Sequence, residues 1–212
     1  MGIAVTADII GSRRLPDRDA AQALLDAAIR KVEAETPGAI RPLRPTVGDE
    51  QQGVYATLDD ALRSLLLLQL ALPDGIACRY GVGVGAIGSV DSAAGGIPDG
   101  PGWWAARAAI EKVHAMEQRS VPTARTWVAA DPDESDEVHE TVRRANLALL
   151  GRDALVVAMS ERARRLTYGR CVGVTQRELA AAEGITQSAV SQALAHAGAP
   201  AIVAGFRLLG GK

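Results

Sequence analysis

Between Arg79 and Gly85 the chain reads Arg-Tyr-Gly-Val-Gly-Val-Gly, so glycine takes every second position of a strand-forming run that spans residues 76–87. Successive side chains of a strand point to opposite faces, which leaves one face bare at Gly81, Gly83 and Gly85. A bare face lets a helix pack close against the strand. A chain carrying such a run is expected to build a sheet with a helix laid tightly upon it.

The surrounding pattern supplies both. Ile3, Val5, Ala7 and Ile9 alternate with Ala4, Thr6, Asp8 and Ile10, a mostly buried strand with one acid near its end. Asp17 caps a helix whose apolar positions are Ala21, Leu24, Leu25, Ala28 and Val32, and Thr36-Pro37-Gly38 stops it. Residues 40–56 are interrupted by proline and then strand-like around Val54-Tyr55, with Gly48-Asp49 at the turn of a hairpin. Thr57-Leu58-Asp59-Asp60 has the capping pattern for a second helix. The order strand, helix, strand, strand, helix, strand is that of a ferredoxin-like or palm arrangement.

Residues 88–102 carry five glycines and two prolines and read as a mobile loop. A third helix is expected from Trp103 to about Gln118, a last strand over 124–129 and an acidic linker over 131–137. Helices are expected at about 135–150, 153–167, 175–183 and 187–197. The fold class is thus α+β: a palm-like N-terminal domain over 1–131, then an all-α region over 132–212 that contains a helix-turn-helix at about 175–197.

A chain of 212 residues with 48% apolar content buries a full core and has room for two domains. The Leu-rich run 65–72 is too short to span a bilayer and is bounded by Arg63 and Pro73, so no membrane association is expected. The N-terminus opens directly into a strand with no secretory pattern, so a cytoplasmic address is expected, where Cys78 and Cys171 stay reduced. Charge is unevenly spread: residues 1–142 hold 13 Lys and Arg against 21 Asp and Glu, and residues 143–212 hold 10 against 4. A basic module on an acidic domain suits phosphate-backbone binding at one end.

Two short carboxylate motifs carry candidate chemistry, residues 6–12 with Asp8 and residues 47–50 with Asp49. Carboxylates brought together on neighbouring strand ends repel, and a hard cation such as Mg²⁺ relieves this with oxygen ligands. Ile10, Gly11 and Ser12 would offer backbone N–H groups to a triphosphate at the turn that follows. Plainer readings exist for each motif alone: Asp8 as a turn or cap residue, and Gly48-Asp49 as an ordinary hairpin turn.

These residues resemble a known family. Asp8-Ile9-Ile10-Gly11-Ser12 is similar to the first metal motif of class III nucleotidyl cyclases, and Gly48-Asp49-Glu50 to their second. The strand 79–85 resembles the next cyclase strand, and Ala105-Ala106-Arg107 the helix that carries their transition-state arginine. The resemblance implies Asp8, Ile9 and Asp49 as ligands of Mg²⁺ or Mn²⁺. It further implies Ile10, Gly11, Ser12, Gly48 and Arg107 around a purine nucleotide, with Arg107 catalytic if the chain is an enzyme. Pro45 stands where the pattern places a base-selecting lysine, and Trp103 where it places an asparagine. Trp103 and Trp104 read as core residues or as platforms for a base, and Arg107 alternatively as an ordinary solvated or salt-bridged residue. The arrangement as a whole, with Asp99-Gly100-Pro101-Gly102-Trp103-Trp104, resembles the SatD family.

Thr175-Gln176-Arg177-Glu178 is a capping box, and Ala180, Gly184, Ile185, Val190 and Leu194 follow the spacing of a helix-turn-helix. Thr186, Gln187, Ser188, Ser191 and Gln192 form the exposed side of its second helix and suit base edges or phosphates in a major groove. Arg162, Arg164, Arg165, Arg170 and Arg177 would supply phosphate contacts. Such a unit also serves protein interaction. The favoured expectation is a homodimeric DNA-binding regulator with a nucleotide-binding palm domain. The rivals are an active cyclase or nucleotidyltransferase and a scaffold with a vestigial site.

Overall fold

The computed structural model describes residues 2–46, 48–91 and 96–210. β1 (Gly2–Ile9), α1 (Arg18–Glu35), β2 (Ala39–Pro45), β3 (Gln51–Tyr55), α2 (Leu58–Ala71) and β4 (Cys78–Gly85) appear in the expected order. β1 pairs antiparallel with both β3 and β4, and β2 antiparallel with β3, so these four strands lie β2-β3-β1-β4. Two interlocked split βαβ units with this order make a ferredoxin-like sheet. The chain continues through a ribbon, β5 (Gly88–Val90) with β6 (Ile97–Asp99), then α3 (Pro101–Arg119) and β7 (Thr126–Ala130). β7 extends the sheet to five strands by running parallel to β4.

The two faces are covered differently. On one, Ile3, Val5, Ala7 and Ile9 of β1 join Leu25, Ile29 and Val32 of α1 and Leu65, Leu66 and Leu68 of α2 in the main core. On the other lies α3, with Ala4, Val54, Trp103 and Ala106 packed together. The glycine row of β4 meets α3 at backbone distance. A Cβ on Gly81 would lie 2.3 Å from the Ala106 carbonyl oxygen, and one on Gly83 would lie 2.0 Å from that of Gly102. The bare face inferred from alternation is therefore the seat of α3.

α4 (Asp136–Ala158) closes the outer edge of β7 with side chains in place of another strand. Asn146 Oδ1 accepts from Val128 N–H and its Nδ2 donates to the Val128 carbonyl, both at 2.8 Å. Asp153 Oδ2 accepts from Arg125 N–H at 2.8 Å and from Thr126 N–H at 2.7 Å. These contacts satisfy edge groups that would otherwise be open to another chain. α5 (Glu161–Cys171), α6 (Gln176–Glu183), α7 (Gln187–His196) and α8 (Ala199–Leu208) follow. Leu166, Val190, Ile202 and Phe206 belong to the same core as the sheet and α2. Among the described residues no single helix is long and apolar enough to cross a membrane.

Several expectations are corrected. The expected loop over 88–102 contains the β5–β6 ribbon, its residues 92–95 lying outside the described part. The expected break near Gly151 does not occur, because that glycine keeps helical conformation and α4 runs on to Ala158. The chain instead restarts at Ser160, whose side chain accepts from Ala163 N–H to cap α5. Within the acidic stretch, Asp131 N–H donates to the Val84 carbonyl and Ser135 caps α4. α8 was not foreseen, although left-handed Gly198, Pro200 and the spacing of Ile202, Val203 and Phe206 mark its start and buried face.

The glycines of β4 and α4 should respond oppositely to alanine. Gly83→Ala forces backbone against backbone and should destabilise by about 3 kcal/mol, the upper end of overpacking costs. Gly151→Ala, with open space around its Cβ, should stabilise by about 0.5–1 kcal/mol. Urea unfolding midpoints of the two variants check both signs.

Candidate functional site

At its C-terminal end β1 runs into a left-handed residue, Gly11 (φ 68°), and then a 3-10 turn at Ser12–Arg14. Arg14 N–H and Leu15 N–H bond back to the Gly11 and Ser12 carbonyls. Opposite, the β2–β3 turn carries Gly48, also at φ 68°. Between them is a cavity of about 220 Å³ lined by Ile9, Ser12, Leu15, Arg18, Asp19, Gln22, Gly48 and Asp49. Four residues singled out from sequence, Ile9, Ser12, Gly48 and Asp49, thus share one wall-to-wall space. Arg18, Asp19 and Gln22 join them from the first turns of α1, whose cap is Asp17 accepting from Ala20 N–H at 2.8 Å. Helix starts favour negative charge, and Arg18 adds a cation there.

Two expected contributions go elsewhere. The Ile10 N–H, anticipated as a phosphate donor, is committed to the Ala77 carbonyl at 2.8 Å. Among the described residues neither Gly11 nor Ser12 N–H has a backbone acceptor, so these two amides remain the donors of the turn. Asp8 lies on the opposite face of the strand from Ile9 and looks toward α3. Arg79, its cross-strand neighbour on β4, grips it with both ends of the fork: Nε to Oδ1 at 2.8 Å and Nη2 to Oδ2 at 3.1 Å. Arg79 Nη1 also reaches Glu117 Oε2 of α3 at 3.0 Å.

Arg79 is only 7% exposed. Burial alone would lower its pKa, but hydrogen bonding and charge from Asp8, then Glu117, outweigh it and hold the guanidinium protonated. Asp8 and Asp49 both act on the thiol of Cys78, which burial first and these charges next push up to about 12. Both carboxylates therefore lie near the same end of β4. Among the described residues no cluster of three or more His, Cys, Asp or Glu is placed to hold a metal ion. As a cation ligand Asp8 does not fit, since both its oxygens face a guanidinium. Asp49 does fit by chemistry, because it lines one cavity with Asp19 and Ser12, all of them residues with oxygen-bearing side chains of the kind a hard cation takes.

Arg107 projects from α3 and is mostly exposed. Its Nη1 meets Glu50 Oε2 at 3.0 Å and its Nε meets Glu111 at 3.2 Å, so it reaches the hairpin that carries Asp49 through the next residue. Glu50 also accepts from Gln52 Nε2 at 2.9 Å. The two tryptophans part company. Trp103 is buried in the core under α3, and Trp104 is 62% exposed with its Nε1 on Asp99 at 3.0 Å.

In the C-terminal region α6 begins at the expected capping box: Thr175 Oγ1 accepts from Glu178 N–H, and Glu178 Oε2 from Thr175 N–H at 2.8 Å. Those hydrogen bonds from Thr175 hold the Glu178 carboxyl below its usual pKa. Gly184 turns left-handed at φ 64°, and Ile185 N–H bonds back to the Ala180 carbonyl at 3.0 Å, closing α6 before α7 starts. Thr186 caps α7 by accepting from Ala189 N–H at 3.1 Å, so its hydroxyl positions the helix as well as facing solvent. Gln187, Ser188, Ser191 and Gln192 are all exposed on α7, while Val190 and Leu194 are buried.

The arginines expected near phosphates are largely engaged. Arg165 pairs with Glu183 and Glu161, Arg162 with Glu183, and Arg164 with Asp74 and the Leu72 carbonyl. Arg170 donates to the Val174 carbonyl, and Arg177 is exposed. Arg79, which holds Asp8, and Arg18, which lines the cavity, are the residues beside the candidate site that sequence reasoning passed over. The signal for Arg79 was its place two residues before Gly81, which puts it on the glycine face and level with Asp8.

A model described as the SatD family matches residues 2–201. The chain belongs to the SatD family. No curated protein matches the sequence. Three solved structures illustrate what the SatD chain is similar to in shape. A bacterial light-regulated adenylyl cyclase is 12% identical, with a TM-score of 0.42 over 57% of this chain and 71% of that one. The guanylyl cyclase Cya2 is 15% identical, with a TM-score of 0.41 over 53% and 70%. The adenylyl cyclase CyaB from P. aeruginosa is 12% identical, with a TM-score of 0.39 over 56% and 81%. Similarity at this level says nothing about activity, and the ferredoxin-like assignment of the SatD chain rests on its strand order.

Removing the cation from the buried triad should be costly. Arg79→Met leaves two partly buried carboxylates facing each other and should destabilise by about 3–5 kcal/mol. Adding Asp8→Asn to that variant should recover part of the loss. A double-mutant cycle in urea measures the coupling.

Proposed function

We propose that this SatD-family protein is a cytoplasmic, homodimeric DNA-binding regulator whose palm-like region, residues 1–131, binds a purine nucleotide with Mg²⁺ or Mn²⁺. The helical region, residues 132–212, is its DNA reader. The observation that carries the reading is the exposed polar row Thr186, Gln187, Ser188, Ser191 and Gln192 on the second helix of a fully capped helix-turn-helix. Glutamine side chains make paired contacts to adenine edges, and short hydroxyl side chains reach bases or phosphates in the same groove. Arg177, exposed near the start of α6, supports a phosphate contact. Dimerisation follows from how such helices read paired half-sites.

Support for a nucleotide comes from the cavity beside the β1 turn. Ser12 lines it with an N–H that has no backbone acceptor among the described residues, Gly11 stands next to it in the turn, Arg18 adds a cation, and Asp49 with Asp19 and Ser12 would supply the oxygen ligands for a divalent ion. Such an ion supplies charge neutralisation to the phosphates it accompanies. Arg107 does not line this cavity and is paired with Glu50 and Glu111, so its expected nucleotide contact would require it to leave those partners.

Mobility shift on duplexes from the promoter of its own operon should reveal salt-dependent binding. Changing Gln187 and Ser188 to Ala should weaken it at least about tenfold, given about 1–3 kcal/mol per good base contact. Absence of any duplex binding at low salt sinks the regulator reading. Calorimetric titration with ATP and GTP should show binding that Asp49→Ala weakens, with no cyclic product from labelled nucleotide. Cyclic product that depends on Asp49 would replace the sensor with an active cyclase.

A further inference from the structure

The geometry points to Arg79 as a built-in cation: its guanidinium takes the place that a divalent ion would hold between Asp8 and Glu117, and Asp8 is an ion-pair partner rather than a metal ligand. The three residues come from three elements that meet on the α3 face of the sheet, β1, β4 and α3. Arg79 stands directly opposite Asp8 in the β1–β4 register, so the strand pairing itself delivers the guanidinium to the carboxylate. Both Asp8 oxygens are taken by separate N–H groups, at 2.8 and 3.1 Å, and the remaining terminal nitrogen is spent on Glu117 at 3.0 Å.

A hard cation entering here would sit beside a buried fixed positive charge. At separations of a few ångströms that repulsion is several times stronger than in bulk water. It would also have to break a two-pronged, charge-assisted pair whose planar fork matches the carboxylate better than a point charge does. The guanidinium cannot leave by losing its proton, because the acids around it hold that proton above the ordinary arginine range, against the lowering effect of burial. The consequence is a division of labour across the strand. Asp8 holds Arg79, which ties the sheet to Glu117 of α3, and the ligand binding proposed above falls to Asp49, which lines the cavity with Ile9, Ser12 and Arg18. Among the described residues Asp8 and Asp49 are therefore not the two carboxylates of one metal centre.

Mn²⁺ binding, followed by electron paramagnetic resonance of the free ion on chelator-treated protein without nucleotide, tests the assignment. Asp8→Asn keeps an acceptor for Arg79 and should leave the Mn²⁺ affinity within twofold of the unchanged protein. A tenfold or greater loss in Asp8→Asn would make Asp8 a ligand and overturn the assignment. In the converse arm, Arg79→Met frees Asp8 and Glu117 and should gain a Mn²⁺ site that the added Asp8→Asn removes. A folded Arg79→Met protein that gains no site also overturns the assignment, and if that variant does not fold, the Asp8→Asn measurement decides alone.

Discussion

Everything on one side of the sheet depends on how closely α3 approaches β4. Three glycines in alternation remove every side chain that would hold the helix away, and the helix answers with Gly102 and Ala106 at the points of contact. The spacing is too small for any Cβ, so the interaction cannot be relaxed by repacking. It sets the height at which α3 lies. That height brings Glu117 to Arg79, Arg107 to Glu50 and Trp103 over Ala4 and Val54. An electrostatic arrangement of the sheet end is therefore fixed by a steric one in its middle.

The other side is governed by polar seams between helices and strands. Gln69 of α2 donates to Asp153 at 3.2 Å and to the Thr126 hydroxyl at 3.3 Å, and Arg152 pairs with the same aspartate. Arg164 at the start of α5 reaches back to Asp74 and to the Leu72 carbonyl, in the loop that leads into β4. Helices that lead into the helix-turn-helix are thus bonded to the segment that positions Cys78 and Arg79. A change in the strand end and a change in α5 share these contacts.

Much of this was legible from residues. Period-two alternation marked β1 and β4, capping residues marked α1, α2 and α6, and the order of elements specified the ferredoxin-like sheet. The reading was weaker wherever one residue type has two uses. Two helices were expected, at about 135–150 and 153–167, where α4 runs unbroken through Gly151, which sits in open space and is carried by the packing of Val142, Leu149 and Val156. The last expected helix ended at about 197, but left-handed Gly198 with Pro200 starts a further helix that buries Ile202, Val203 and Phe206. At the site, spacing brought Ile9, Ser12, Gly48 and Asp49 to one cavity, yet an acid near a strand end carries no mark of which face it will take. Asp8 is absent from the cavity that Asp49 lines because side-chain parity sends it toward α3, and only Arg79, on the matching parity, could have announced it.

The side-chain ladder that α4 lays along β7 has a consequence for how the chain is made. Synthesis delivers β7 before Asn146 and Asp153, so the nascent sheet leaves the ribosome with a raw parallel edge. An open edge of that kind is a template on which another strand can pair. The interval between residue 130 and residue 153 is then the hazardous stretch of biogenesis, and a helix that adds no strand to the sheet decides whether the sheet remains solitary.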